Sequence, residues 1–165
     1  RPDFYGLNYY SRIVVRPCLK DGRPDADAVS CAERGVPAST MGWEVYPEGL
    51  GEIAGRLQHA YGVDDIVITE NGYAADVPVE GSGRIRDAER IDFLARHAAE
   101  IGRCLSAGIP LTGYMVWSLL DNFEWSAGWG QRFGLVHVDY RSMERRIKDS
   151  GFWYRDLIAG GRLCC

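Results

Sequence analysis

Lysine is nearly missing from this 165-residue chain: two residues stand against seventeen arginines, and the formal net charge is −4. A nucleic-acid binder usually carries a basic excess, so that class is excluded; the arginine bias reads as coding composition, not chemistry. No apolar run approaches the ~20 residues that span a bilayer, which excludes a helical membrane protein. The three histidines (His59, His97, His137) are far apart and lack metal-ligand spacing. The five cysteines (Cys18, Cys31, Cys104, Cys164, Cys165) are odd in number and contain no CxxC, so neither a disulfide framework nor a zinc site follows. Reduced thiols are expected, and with them a cytoplasmic location. Gly81-Ser82-Gly83 is followed by no Lys-Ser/Thr and matches neither a P-loop nor GxGxxG, so no phosphate cradle is read there. There is no initiator Met and no signal peptide, and strand-like sequence starts by residue 3; the chain reads as a piece of a longer one.

Aromatics are abundant, at 12% with five Trp and nine Tyr, in an otherwise ordinary composition of 46% hydrophobic and 25% charged residues. Such content serves a large core or a pocket with flat walls. Strand signals at Phe4–Tyr10, Asp65–Thr69 and Leu111–Trp117 alternate with helix signals. The first helix runs from Pro47 to Gly62 with Leu50, Ile53, Leu57 and Tyr61 at helical spacing. The second takes Asp87 as its N-cap, repeats Ile91, Leu94, Ala98, Ile101 and Leu105, and closes at Gly108. The third starts at Asp149 or Ser150 and stops at Gly160. Residues 17–40 and 74–86 read as loops, the former as the most mobile segment, and a small hairpin is expected from Gly134 onward.

Strand and helix in strict alternation predict a parallel sheet. A doubly wound fold asks for a Gly-rich turn after its first strand, and none is here. A complete (β/α)₈ barrel needs about 250 residues, so the expected fold class is α/β, an incomplete TIM barrel of about three βα units, its C-terminal portion, in one domain over residues 1–165. The polar and aromatic residues concentrate where each strand ends: Asn8-Tyr9-Tyr10, Glu70-Asn71-Gly72, and Trp117-Ser118 followed by Asp121, Asn122, Glu124 and Trp125. In a barrel that rim carries the active site. Glu70 directly follows the apolar run Ile66–Ile68, in partly desolvated surroundings, with Tyr10 and Asn8 as candidate donors to its charged form. Such a carboxylate suits nucleophilic attack on a sugar carbon; by position alone it serves equally as a cap of the next loop.

The wording of these segments resembles glycoside hydrolase family 1, the β-glucosidase family. ITENG at Ile68–Gly72 resembles its nucleophile signature, and DFYGLNYYS at Asp3–Ser11 its sixth barrel strand. TMGWEVYPEGL at Thr40–Leu50 resembles the segment before the next helix, and GYMVWSLLDNFEWSAGWGQRFGLVHVDY at Gly113–Tyr140 the eighth strand and its loop. The segments come in family order and cover nearly the whole chain.

The resemblance implies a retaining β-glycosidase acting on a β-glycoside or oligosaccharide, with no metal or organic cofactor. It casts Glu70 as the nucleophile, Tyr10 as the group orienting it, and Asn8 as its neighbour. Trp117 becomes the platform under the glycone ring, Glu124 the acceptor of sugar hydroxyls, and Trp125 an indole donor to another. Phe133 walls the pocket and Trp43 lines the aglycone side. Asp121 and Asn122 brace the loop, and His97 and His137 are structural. The family's acid/base Glu lies in an Asn-Glu-Pro motif that this sequence does not contain, and Ile147 stands where the family has Pro before Lys-Asp-Ser. The implied partner is the missing N-terminal barrel portion, with self-association of the open sheet as the competing outcome. Two rivals stay open: a non-catalytic carbohydrate-binding remnant, and a structural partial barrel that self-associates.

Overall fold

The computed structural model describes residues 2–160, so the readings for Cys164 and Cys165 lie outside the described residues. Strand β1 (Tyr5–Asn8) leads into an antiparallel pair, β2 (Val15–Lys20) and β3 (Arg23–Ala28), and a one-turn helix, α1 (Cys31–Arg34). Helix α2 (Glu48–Tyr61), strand β4 (Ile66–Asn71), helix α3 (Ala88–Ser106) and strand β5 (Leu111–Val116) follow. A 3₁₀ turn at Trp125–Ala127, the short strands β6 (Val136–Val138) and β7 (Arg145–Ile147), and helix α4 (Asp149–Gly160) complete the chain. The sheet runs β1-β4-β5, all parallel, and no closed barrel forms among the described residues. None of the described helices is long and apolar enough to cross a membrane.

The core lies between this sheet and the helices. Ile66, Ile68 and Leu111 meet Leu50, Ala54, Val63 and Cys104, and the ring of Tyr9 closes the cluster. Each fully buried aliphatic side chain contributes about 1.5–3 kcal/mol, which commits α2 and α3 to one face of the sheet. The helices are rotated from the expected faces. In α2 the buried stripe is Gly49, Leu50 and Ala54, and Tyr61 is exposed. In α3 it is Arg90, Phe93, Leu94, His97, Glu100 and Cys104, and Leu105 is exposed. The shift has a cause: three polar side chains are taken inside with partners. Arg90 meets backbone carbonyls, His97 Nδ1 lies 2.8 Å from Phe93 O, and Glu100 pairs with Arg103. Burial lowers the His97 imidazole to about 4, so the ring is neutral in the core.

Two further expectations are corrected. Residues 17–40 are not an irregular loop: they hold most of the β2–β3 hairpin and α1. Its two-residue turn is Asp21-Gly22, both left-handed at φ 51° and 74°, the geometry that matches the twist of paired strands. Asp87 precedes α3 but makes no side-chain cap; its carboxylate receives the backbone N–H of Ser150 at 2.9 Å and pairs with Arg90. The expected small hairpin is present as β6 and β7.

Candidate functional site

Three strand ends meet at one rim. A register shift between Leu7 and Asn8 sets Asn8 opposite Glu70 and leaves Thr69 as the extra residue. Tyr9 N–H then donates to Glu70 O at 2.9 Å, which places Tyr10 beside the Glu70 side chain. Tyr10 Oη donates to Glu70 Oε2 at 2.6 Å, a charge-assisted length. Burial, then the hydrogen bond to Glu70, raises the Tyr10 phenol far above its usual range, so it stays a donor. Asn8 Oδ1 accepts from Thr69 Oγ1 at 2.6 Å, a bond that fixes the Asn8 side chain beside the same strand.

Asn71 is fully buried and fixes the strand end from behind. Its Nδ2 donates to Tyr9 O at 2.8 Å, and its Oδ1 accepts from Tyr114 Oη at 2.7 Å. Its carbonyl receives Trp117 N–H at 2.9 Å, tying β4 to the end of β5. Gly72 comes next, directly under Trp117: a Cβ there would lie inside the carbonyl oxygen of Trp117. Gly72→Ala is therefore expected to destabilise the fold by about 3 kcal/mol, at the upper end of ordinary overpacking, read as a lower thermal midpoint. An unchanged midpoint would mean that Trp117 can back away from Gly72 freely.

Trp117 and Glu124 face each other, with Trp117 Nε1 donating to Glu124 Oε2 at 3.4 Å. The Trp117–Ser118 peptide is cis. Tyr10, Trp43 and Phe133 form one aromatic group: Tyr10–Trp43 centroids lie 5.2 Å apart, Tyr10–Phe133 6.0 Å and Trp43–Phe133 6.1 Å. Phe133 is only 2% exposed and packs behind Tyr10 and Trp43. The structure thus links Tyr10 to Glu70 and Trp43, and Trp117 to Glu124; Trp125, next to Glu124, is 81% exposed and joins no aromatic stack among the described residues.

The loop that carries Glu124 hangs on Asp121. Its Oδ1 accepts from Gly134 N–H at 2.9 Å and from Lys148 Nζ at 2.8 Å; its Oδ2 accepts from Arg132 Nη1 at 2.8 Å. Burial opposes the Asp121 charge, but Lys148 and Arg132 outweigh it and hold the carboxyl below its usual range. Burial, with the Arg90 charge nearby, lowers Lys148 to about 8. Asn122 braces the same loop through Ser118 Oγ at 3.0 Å. Trp43 is held by its own neighbours: its carbonyl accepts from Ser39 N–H at 2.9 Å, and the adjacent Glu44 is clamped by Arg12 at 3.0 Å and Arg34 at 2.6 Å. Those two hydrogen-bonding guanidinium groups depress the Glu44 carboxyl to about 2. Sequence reasoning missed Arg90 and Lys148 and read Asp87 only as a cap; all three are buried, and charged residues on a helix face or loop carry no outward sign of burial. Among the described residues, no group of three or more His, Cys, Asp or Glu side chains could hold a metal ion.

A carboxylate held by a phenol, beside flat aromatics and a second carboxylate that can accept hydroxyl hydrogens, can bind and attack a sugar ring. The family model described as Glycosyl hydrolase family 1 matches residues 1–162. The chain is 46% identical over 162 residues to β-glucosidase A of Thermotoga maritima, covering 98% of this chain and 35% of that protein. It is 41% identical over 170 residues to a bifunctional β-D-glucosidase/β-D-fucosidase of Bifidobacterium breve, covering 95% of this chain and 37% of the relative. The solved β-glucosidase of T. maritima in complex with azafagomine superposes with a TM-score of 0.92 at 42% identity, over 99% of this chain and 36% of that one. The chain thus spans about a third of the length of the relatives it matches, and its parallel sheet is part of a (β/α)₈ barrel.

Proposed function

Because the chain belongs to glycosyl hydrolase family 1, we propose that it supplies the nucleophile and much of the glycone wall of a retaining β-glucosidase. The observation that carries the reading is the 2.6 Å hydrogen bond from Tyr10 to Glu70 at the rim of three parallel strands. Tyr10 occupies one carboxylate oxygen and leaves the other for the anomeric carbon. In the first step the Glu70 oxygen bonds to that carbon, the glycosidic C–O bond breaks, and the leaving oxygen takes a proton from a second carboxyl group. In the second step water, deprotonated by the same group, attacks the anomeric carbon and the ester bond to Glu70 breaks. The two carboxyls of such a pair stand about 5–5.5 Å apart. Glu124, engaged with Trp117, is assigned to the sugar hydroxyls, so the acid/base is supplied from outside these 165 residues.

The test joins the chain behind the first two thirds of T. maritima β-glucosidase A. Incubation with a dinitrophenyl 2-deoxy-2-fluoro-β-glucoside should release one equivalent of dinitrophenol and leave a sugar on the peptide bearing Glu70. A sugar on any other residue, or release with no labelled peptide, would refute the assignment.

The two halves of the pocket should separate by substitution. In the joined barrel Glu124→Ala is expected to lower kcat/KM for every glycone by about 100-fold, since hydroxyl contacts strengthen toward the transition state. Trp43→Ala should reorder the preferred leaving groups. The opposite pattern, Glu124 altering only leaving-group rank, would show the pocket to be assigned inside out.

A further inference from the structure

We infer that Arg90, on the first turn of α3 and remote in sequence from every group that touches sugar, is the positioning residue that holds Tyr10 and Glu70 in register; the inference rests on Glu70 being the nucleophile. Arg90 is 1% exposed, and its guanidinium addresses two separate loops. Nε donates to Tyr73 O at 3.0 Å, in the segment that leaves the nucleophile strand. Nη2 donates to Arg132 O at 2.7 Å, the residue before Phe133, and reaches Ala75 O at 3.5 Å. Nη1 pairs with Asp87, whose carboxylate also takes the N–H and hydroxyl of Ser150 at the start of α4. One planar cation therefore sets the spacing between the segment after Glu70 and the segment carrying Phe133, and anchors both to two outer helices.

The spacing matters because of what lies on each side. Ala75 N–H donates to Arg132 O at 3.2 Å, so both loops close on the carbonyl that Arg90 holds. Phe133 follows, with its ring against Tyr10 and Trp43, and its carbonyl receives Ser118 N–H at 3.3 Å. On the other side Tyr73 follows Gly72, the residue pressed under Trp117. Arg90 thus acts on Glu70 through Phe133 and Tyr10, and on the glycone platform through Gly72. A lysine keeps the charge that pairs with Asp87 but, with its donors on one atom, cannot bridge Tyr73 O and Arg132 O together. The fork geometry is the function, and the charge alone is not.

The experiment is a double-mutant cycle in the joined barrel, with turnover counted per active site by fluoroglucoside titration, so that loss of folded protein does not register as loss of rate. Arg90→Lys should lower kcat by about 10- to 100-fold, with a smaller change in KM, the scale of an ångström-sized misplacement. Phe133→Leu should lower kcat in the same sense, and the double variant should be little worse than the poorer single one, because both break one line of support. Rates per site within twofold of the parent, or effects that multiply, would overturn the inference. A fluoroglucoside label on a residue other than Glu70 would refute the nucleophile reading alone; Arg90 is then read in the joined barrel by amide exchange. There Arg90→Lys should speed exchange at Ala75 and Ser118 about tenfold and leave α2 unchanged, and equal rates at those two amides would overturn it.

Discussion

Glu70→Ala in the joined barrel is expected to abolish glucoside hydrolysis, by a factor on the order of 10⁴ or more, while the fold survives. That is the scale of loss when a covalent nucleophile is removed and binding is left intact. The fold is expected to survive because Glu70 is only half-buried and its one described side-chain bond is to Tyr10, whereas the strand end itself is fixed by Asn71. The variant leaves a gap at the anomeric carbon, lined by a phenol that remains a donor. Added azide fits such a gap and should attack an activated aryl glucoside from the face Glu70 used. The product is a glucosyl azide of inverted configuration, because no second displacement follows. Chromatographic identification of the α-azide checks the role, and a variant that keeps near-parental hydrolysis refutes it.

The sequence was readable wherever local pattern and burial agreed. Ile66–Ile68 is apolar on both faces because β4 is central, and β1 and β5 flank it in parallel, as the alternation of elements requires. The helix faces were off by about one residue because Arg90, His97 and Glu100 are inside, and periodicity counts only apolar residues. The β2–β3 hairpin was signalled by Asp21-Gly22, but its apolar residues Val15 and Leu19 are exposed, so no core-facing alternation drew attention to it. At the site, the residue types at the strand ends were legible. Their partners were not: that Asn8 Oδ1 takes the Thr69 hydroxyl, and that Phe133 packs on Tyr10, are set by a register shift and by tertiary contacts that no local pattern encodes.

The 165-residue chain by itself is expected to hydrolyse no glucoside and to run larger than a monomer. Retaining hydrolysis needs two carboxyl groups at fixed separation, and Glu124, the second carboxylate of this site, bonds Trp117 and is assigned to the sugar hydroxyls. The sheet has two open parallel edges, β1 and β5, each a row of backbone groups ready to pair. Beside β5 runs an apolar groove of about 440 Å³ lined by Val116, Leu119, Leu135, Ile147, Tyr154 and Ile158. Tyr5, Met115, Phe123 and Trp129 add exposed apolar surface. Surface of this kind drives association in water. Copies of a three-stranded unit give six or nine parallel strands and cannot close an eight-stranded barrel, so the assemblies should be heterogeneous instead of a single ring. Light scattering on the purified chain, with a nitrophenyl glucoside assay at high protein concentration, measures both parts. Joining the chain to the complementary two thirds of the T. maritima enzyme should remove the excess size and restore turnover together. A monodisperse monomer whose turnover disappears in Glu70→Gln would show that a second catalytic carboxyl group lies within these residues.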